Sequence, residues 1–184
     1  MRVIAGSARR TILVTPEGLS TRPTTDRIKE TLFNMLNNNL YDSTFLDLFS
    51  GSGGIGIEAL SRGSKEAYFV ENDKNAIKCI KENLRKTHFS ENGYLIEKDV
   101  FIALDYLKNK GVVFDYIFMD PPYNKEIEKN VLSKLSHSNI IDENTMIIVE
   151  ASLETNLDYL DEFGFSLVKK KDYKTNYHAF IMKS

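Results

Sequence analysis

Short, nearly unbroken apolar runs alternate along this chain with longer segments whose apolar residues recur every three or four positions. The runs predict strands over residues 44–49, 66–71, 93–97, 114–119, 145–151, 165–171 and 177–182. The periodic segments predict helices over residues 25–38, 54–62, 74–86, 100–108, 125–135 and 154–161. This is the βαβ rhythm of a parallel sheet covered on both faces. Strands buried on both sides account for runs such as Phe-Asp-Tyr-Ile-Phe-Met. In residues 74–86, Ala76, Ile77, Ile80 and Leu84 form one stripe opposite Lys78, Lys81, Glu82 and Lys86. Only residues 172–176 separate the last two strands, too few for a parallel crossover, so these two should pair as an antiparallel hairpin. Residues 3–5 and 12–14 predict two further short strands, followed by Pro16, Gly18 and Pro23. They read as a small extension over residues 1–23, beside a main domain over residues 24–184.

Composition changes this picture little. The chain has 184 residues, 42% hydrophobic and 27% charged, the balance of an ordinary globular protein. A core of that size needs neither disulfides nor metals. Cys79 is the only cysteine and lies on the apolar stripe, which suits a core residue in a reducing compartment. The scattered His88, His137 and His178 do not resemble a metal site. The N-terminus lacks the apolar run of a secretory signal, and no stretch is long enough to span a membrane, so a soluble cytoplasmic protein is expected. Net charge is −2, yet residues 1–30 hold six basic against three acidic residues, a net +3, and Lys169, Lys170, Lys171 and Lys174 cluster near the other end. Basic ends on a near-neutral protein suit local phosphate contacts rather than general polyanion binding.

Candidate chemistry begins after the first strand, in Asp47-Leu48-Phe49-Ser50-Gly51-Ser52-Gly53-Gly54-Ile55-Gly56. Gly51, Gly53 and Gly56 satisfy G-x-G-x-x-G between a strand and a helix, where bare backbone lets a ligand approach a helix N-terminus. Glu71 ends the second strand twenty residues after Gly51 and could accept from two ribose hydroxyls. Loop and acid together indicate an adenosine-containing ligand, either NAD or S-adenosylmethionine. Asp47 tilts the balance: a carboxylate there opposes a pyrophosphate but suits the ammonium of a methionine moiety. Asp99 and Val100 follow the third strand. The Asp99 carboxylate could accept an adenine amino group while the Val100 amide meets a ring nitrogen, and Asp99 could also cap the next helix.

The fourth strand runs into Asp120-Pro121-Pro122-Tyr123. Two prolines stop the strand and remove two N–H donors, leaving carbonyl acceptors beside the Asp120 carboxylate. Acceptors without donors match an exocyclic –NH2 group. Holding both of its hydrogens directs lone-pair density at an electrophilic methyl and gives the proton somewhere to go. Tyr123 offers a face on which a base could stack, worth about 1–3 kcal/mol. A stiff strand-ending turn is the plainer alternative, but an NAD enzyme has no evident use for this tetrad.

With these residues in view the sequence resembles the RsmD-type family of ribosomal RNA small-subunit guanine-N2 methyltransferases. The resemblance is carried by Arg2-Val3-Ile4-Ala5-Gly6, by Arg22-Pro23-Thr24-Thr25-Asp26-Arg27 with Glu30-Thr31-Leu32-Phe33-Asn34, by the glycine loop through Gly63, and by Asp120-Pro121-Pro122-Tyr123. It implies an α/β class I methyltransferase (Rossmann-like) fold: a seven-stranded, mostly parallel sheet with a C-terminal antiparallel hairpin. It implies S-adenosyl-L-methionine as cofactor and one guanine of 16S ribosomal RNA, within the 30S subunit, as substrate, with the enzyme a monomer. It further implies that Asp120 and the Pro121 carbonyl engage the guanine amine and that Tyr123 stacks. Asp47, Gly51, Gly53, Glu71, Asp99 and Val100 would hold the cofactor, with Thr24 closing over it. Arg9, Arg10, Arg22 and Arg27 would meet RNA phosphates. Two departures from the family pattern touch the RNA side: Arg9-Arg10-Thr11 runs without a glycine between the basic residues, and Lys174 stands where a glycine often follows Tyr173. A DNA adenine-N6 or cytosine-N4 methyltransferase, and a non-catalytic RNA-binding assembly factor, are the alternatives that the residues leave open.

Overall fold

A computed structural model describes residues 1–16, 26–36, 40–123 and 125–184. The helices are α1 (Asp26–Leu36), α2 (Gly54–Ser61), α3 (Lys74–Lys86), α4 (Val100–Lys110) and α5 (Ile127–Ser136). The strands are β1 (Thr44–Asp47), β2 (Glu66–Glu71), β3 (Gly93–Glu97), β4 (Tyr116–Met119), β5 (Met146–Ser152), β6 (Phe165–Asp172) and β7 (Asn176–Lys183). They form a seven-stranded sheet in the order β3-β2-β1-β4-β5-β7-β6. This is the expected class I methyltransferase architecture, and its last two strands pair antiparallel as the short connection demanded. Among the described residues no helix is long and apolar enough to cross a membrane.

The chain divides into two compact units, Met1–Asp99 and Val100–Ser184. In the first, β1, β2 and β3 pair in parallel, with Asp47 opposite Phe69 and Glu71 opposite Glu97. Helix α3 spans the residues its periodicity indicated, buries Ala76, Ile77, Cys79, Ile80 and Leu84, and is capped by Asp73, whose side chain accepts from the Asn75 and Ala76 amides. Every residue of α2 is buried, including Glu58.

The two N-terminal strands do not form as such. Arg2 and Ile12 make a single antiparallel bridge. Side chains of α2 and α3 take the bonds that a longer ladder would have used. The Ile4 and Ala5 amides donate to Glu58 at 2.8 and 3.0 Å, the Ala8 amide donates to Ser61 Oγ at 3.0 Å, and the Val14 amide donates to Asn83 Oδ1 at 2.7 Å. Glu58 also pairs with Lys29 at 3.2 Å and Arg62 at 2.8 Å, and neither the Glu58 nor the Lys29 side chain is exposed. Lys29 Nζ completes the clamp by donating to the Arg2 carbonyl at 2.6 Å.

In the second unit β4 and β5 pair in parallel, and β7 runs antiparallel between β5 and β6. Residues 154–161 are not the expected helix. They form turns that lead into a 3-10 turn at Asp161–Phe163. A short polar side chain competes for the backbone here: Asn156 Oδ1 accepts the Asp158 amide at 2.8 Å, while the Ser152 and Thr155 hydroxyls bond each other at 3.0 Å. The periodicity of Leu157 and Leu160 is too brief to outweigh these bonds.

Candidate active site

Strand β1 delivers Asp47 to the carboxyl end of its strand, and Ser50 folds the chain back at once. Its hydroxyl donates to the Asp47 carbonyl at 2.8 Å, and its own carbonyl accepts the Gly53 amide at 2.7 Å. Gly51 and Gly53 take φ of 52° and 81°, the left-handed region that costs other residues roughly 1–2 kcal/mol. Among the described residues nothing lies within 4 Å of the position a Gly51 Cβ would occupy, so this turn presents bare backbone. Gly56 has another purpose. A Cβ there would strike the Phe69 ring, with Cζ only 2.8 Å away, so the third glycine lets α2 lie close on β2.

Asp47 is 1% exposed. Its Oδ2 accepts the Gly56 amide at 3.3 Å, while Oδ1 has no hydrogen-bond partner among the described residues. Burial pushes this carboxyl up to about 7; the Gly56 and Phe49 amides oppose the rise and the Glu71 charge adds to it. A buried acceptor without a donor costs about 1–3 kcal/mol. The group that would relieve it is a donor, best a cationic one.

Glu71 is held from the backbone. Its Oε2 accepts the Gly51 amide at 2.8 Å, and its Oε1 accepts the Asn72 and Asp73 amides at 2.8 and 2.9 Å. Three donors fix the carboxylate beside the glycine turn, and of its roughly four lone-pair sites one remains for a ligand. The sequence suggested only the ligand-facing use; the bond to Gly51 is the part it did not reveal. The register Glu71 opposite Glu97 brings the end of β3 level with the end of β2, and exposed Asp99 follows two residues later, directly before α4. Val100, the first residue of that helix, is buried. Asp47, Gly51, Gly53 and Glu71 are therefore one constellation, with Asp99 at the same strand ends of the first unit.

In the second unit Asp120 follows β4 directly and is half-buried, Pro121 is buried, and Pro122 is exposed. Tyr123 keeps 41% of its surface exposed. Burial raises its hydroxyl pKa, and the charges of Asp120 and Glu150 raise it further, so the hydroxyl stays protonated and donates. It reaches Glu150 Oε1 at 3.4 Å. Glu150 in turn meets Asn176 and His178, residues that periodicity alone did not single out. A signal existed: Glu150 is the lone carboxylate in the apolar run Met-Ile-Ile-Val-Glu-Ala-Ser, much as Asp47 closes Thr-Phe-Leu-Asp.

Arg9, Arg10 and Arg27 are exposed, and Arg10 adopts a φ of 72° in the N-terminal turn. Arg22 and Thr24 lie outside the described residues.

Comparison with known proteins meets this geometry from another direction. The family model described as conserved hypothetical protein 95 matches residues 1–182. YlbH of Bacillus subtilis is 39% identical over 157 residues, covering 85% of either chain. The ribosomal RNA small subunit methyltransferase D of Haemophilus influenzae is 37% identical over 176 residues, covering 93% of this chain and 88% of its own. The solved structure of the Escherichia coli protein yhhF superposes with a TM-score of 0.86 at 31% identity, covering 100% of this chain and 98% of that one. A glycine turn under a buried acid, a proline-stiffened corner after β4 and a match along nearly the whole length lead to one result: this chain belongs to the conserved hypothetical protein 95 family, the RsmD-type family its motifs resemble.

Proposed function

We propose that this chain is an S-adenosylmethionine-dependent methyltransferase acting on the exocyclic N2 of a guanine in 16S ribosomal RNA, within an assembled or partly assembled 30S particle. The observation that carries the cofactor half is Asp47, whose buried Oδ1 has no donor among the described residues, beside a glycine turn that those residues leave uncovered. An ammonium group satisfies that oxygen and draws the carboxyl back to its charged form; a pyrophosphate would do the reverse. Asp47, Gly51 and Gly53 would hold the amino-acid end of the cofactor. Glu71 takes one ribose hydroxyl at its remaining acceptor site, Asp99 and the Val100 amide take the adenine, and Thr24 closes the site. When bound, S-adenosylmethionine supplies an activated methyl group on a sulfonium.

The remaining chemistry belongs to the chain itself. Asp120 and the Pro121 carbonyl accept the two hydrogens of the guanine amine, and Asp120 holds the proton that leaves. The face of Tyr123 carries the base, with Pro122 stiffening the turn. Alignment of this kind supplies on the order of 7–11 kcal/mol of rate enhancement. Arg9, Arg10, Arg22 and Arg27 contact RNA phosphates. The ribosomal half of the reading is supported by the Haemophilus influenzae relative, whose name assigns it to small-subunit ribosomal RNA. A monomer in the cytoplasm completes the reading.

The test is transfer of labelled methyl from S-adenosylmethionine to 30S particles and to naked 16S RNA, with the modified nucleoside identified by mass spectrometry. N2-methylguanosine is expected. N6-methyladenine or N4-methylcytosine formed on DNA would overturn the substrate assignment, and cofactor binding without transfer would favour an assembly factor.

A further inference from the structure

Glu150, Tyr173, Asn176 and His178 have no part in the reading above, yet they form one hydrogen-bonded chain that ends on Tyr123. Glu150, Asn176 and His178 are at most 5% exposed. The antiparallel register of β5 and β7 sets Glu150 opposite His178, and His178 Nε2 lies 3.0 Å from Glu150 Oε2. Asn176 Nδ2 donates to Glu150 Oε1 at 2.5 Å, and the Tyr123 hydroxyl approaches the same oxygen at 3.4 Å. On the far side of the imidazole, Tyr173 Oη lies 3.2 Å from Nδ1. A single tautomer, assigned from these contacts, satisfies all of them. The proton sits on Nε2 and donates to Glu150, which leaves Nδ1 to accept from the Tyr173 hydroxyl. Among the described residues no Lys or Arg pairs with Glu150; the neutral His178 imidazole meets it as a hydrogen-bond donor.

A buried carboxylate with three donors is a costly element to maintain if packing is its only use, since apolar residues of similar volume commonly serve as well. Its donor Tyr123 keeps 41% of its surface exposed. Tyr123 sits on an exposed turn where its ring would otherwise sample several rotamers, and its hydroxyl is the end that is held. We infer that Glu150, clamped by Asn176 and His178, is the positioning residue that fixes the Tyr123 ring at the Asp-Pro-Pro-Tyr corner and so sets the plane against which the target base stacks. The inference rests on the proposed methyl transfer to a base.

A double-mutant cycle tests it. Tyr123→Phe keeps the ring and deletes only the tethering hydroxyl. Glu150→Gln keeps the shape, but an amide cannot accept at both ends. The readouts are the single-turnover rate of methyl transfer to 30S particles, with calorimetric affinity for S-adenosylmethionine as control. Each single variant should slow transfer by about tenfold to a hundredfold, the order that a small misplacement costs. The double variant should be no slower than the worse single one, and cofactor affinity should stay unchanged throughout. Losses that multiply in the double variant, or a parallel fall in cofactor affinity, overturn the positioning role. Should Glu150→Gln fail to fold, Tyr173→Phe replaces it at the far end of the chain. A smaller loss that vanishes in the Y123F background is then expected, and an unchanged or additive rate overturns the inference. The same cycle read as thermal stability needs no substrate, and additivity there refutes the hydrogen-bonded chain itself. A wild-type protein that transfers no methyl to ribosomal RNA, with a coupled stability cycle, overturns the functional reading and leaves the chain of residues purely structural.

Discussion

Replacing Asp47 by Asn should make the ligand-free protein more stable at alkaline pH while destroying its cofactor affinity. The carboxyl is 1% exposed, so solvent screening hardly discounts the effect. Burial lifts it from an ordinary 3.8 to about 7. Between those values the folded chain holds a proton that the unfolded chain has lost, so stability falls as pH rises through this window. The gap corresponds to on the order of 4 kcal/mol above pH 7. Asn has the same shape without the charge, so its advantage should grow by roughly 2–3 kcal/mol between pH 5 and pH 8. For a chain of this size that is a relative rise in Tm of about 2–4 °C per kcal/mol. Urea unfolding of D47N and wild type at both pH values measures it. Calorimetry with S-adenosylmethionine supplies the other half: binding to wild type near pH 6 should release a proton as the ammonium draws Asp47 back to its charged form, and D47N should lose most of the affinity. A stability difference that is the same at pH 5 and pH 8 would refute the burial argument. Proton uptake on binding would refute the pairing with a cation.

Asp120→Ala should abolish most methyl transfer with cofactor affinity nearly intact, and equal loss of both by calorimetry and rate assay would contradict the role given to the corner. Glu58→Ala leaves the Lys29 ammonium, already lowered in pKa by burial, without its carboxylate, and should cost about 3–5 kcal/mol in chemical denaturation; a cost near zero would show that the clamp on the N-terminal segment carries no weight. Gly56→Ala forces a methyl against the Phe69 ring and should cost about 1–3 kcal/mol, read as a lowered urea midpoint. Arg10→Gly removes a non-glycine residue from a φ of 72° and should gain roughly 1 kcal/mol of stability, while weakening RNA binding and flattening its salt dependence; an unchanged salt slope would exclude a phosphate contact.

Periodicity and punctuation determined much of this protein. The seven strands were legible because strands buried on both faces must be written in apolar residues, and the closing hairpin because five residues cannot make a crossover. Asp47, the glycine turn and Asp-Pro-Pro-Tyr were legible because backbone conformation confines glycine and proline to few places. What tertiary structure alone decided concerns polar groups whose partners are distant in sequence. Glu58 reads as one more helix residue until Lys29 and the Ile4 and Ala5 amides converge on it. Residues 154–161 carry enough periodicity to suggest a helix, yet a local side-chain bond to the backbone prevails over it. His178 looks like a stray histidine until β7 inserts beside β5 and brings it against Glu150. Hydrophobic pattern is a property of neighbours along the chain and survives in one dimension. A hydrogen bond between residues 28 apart exists only after the strands have chosen their register.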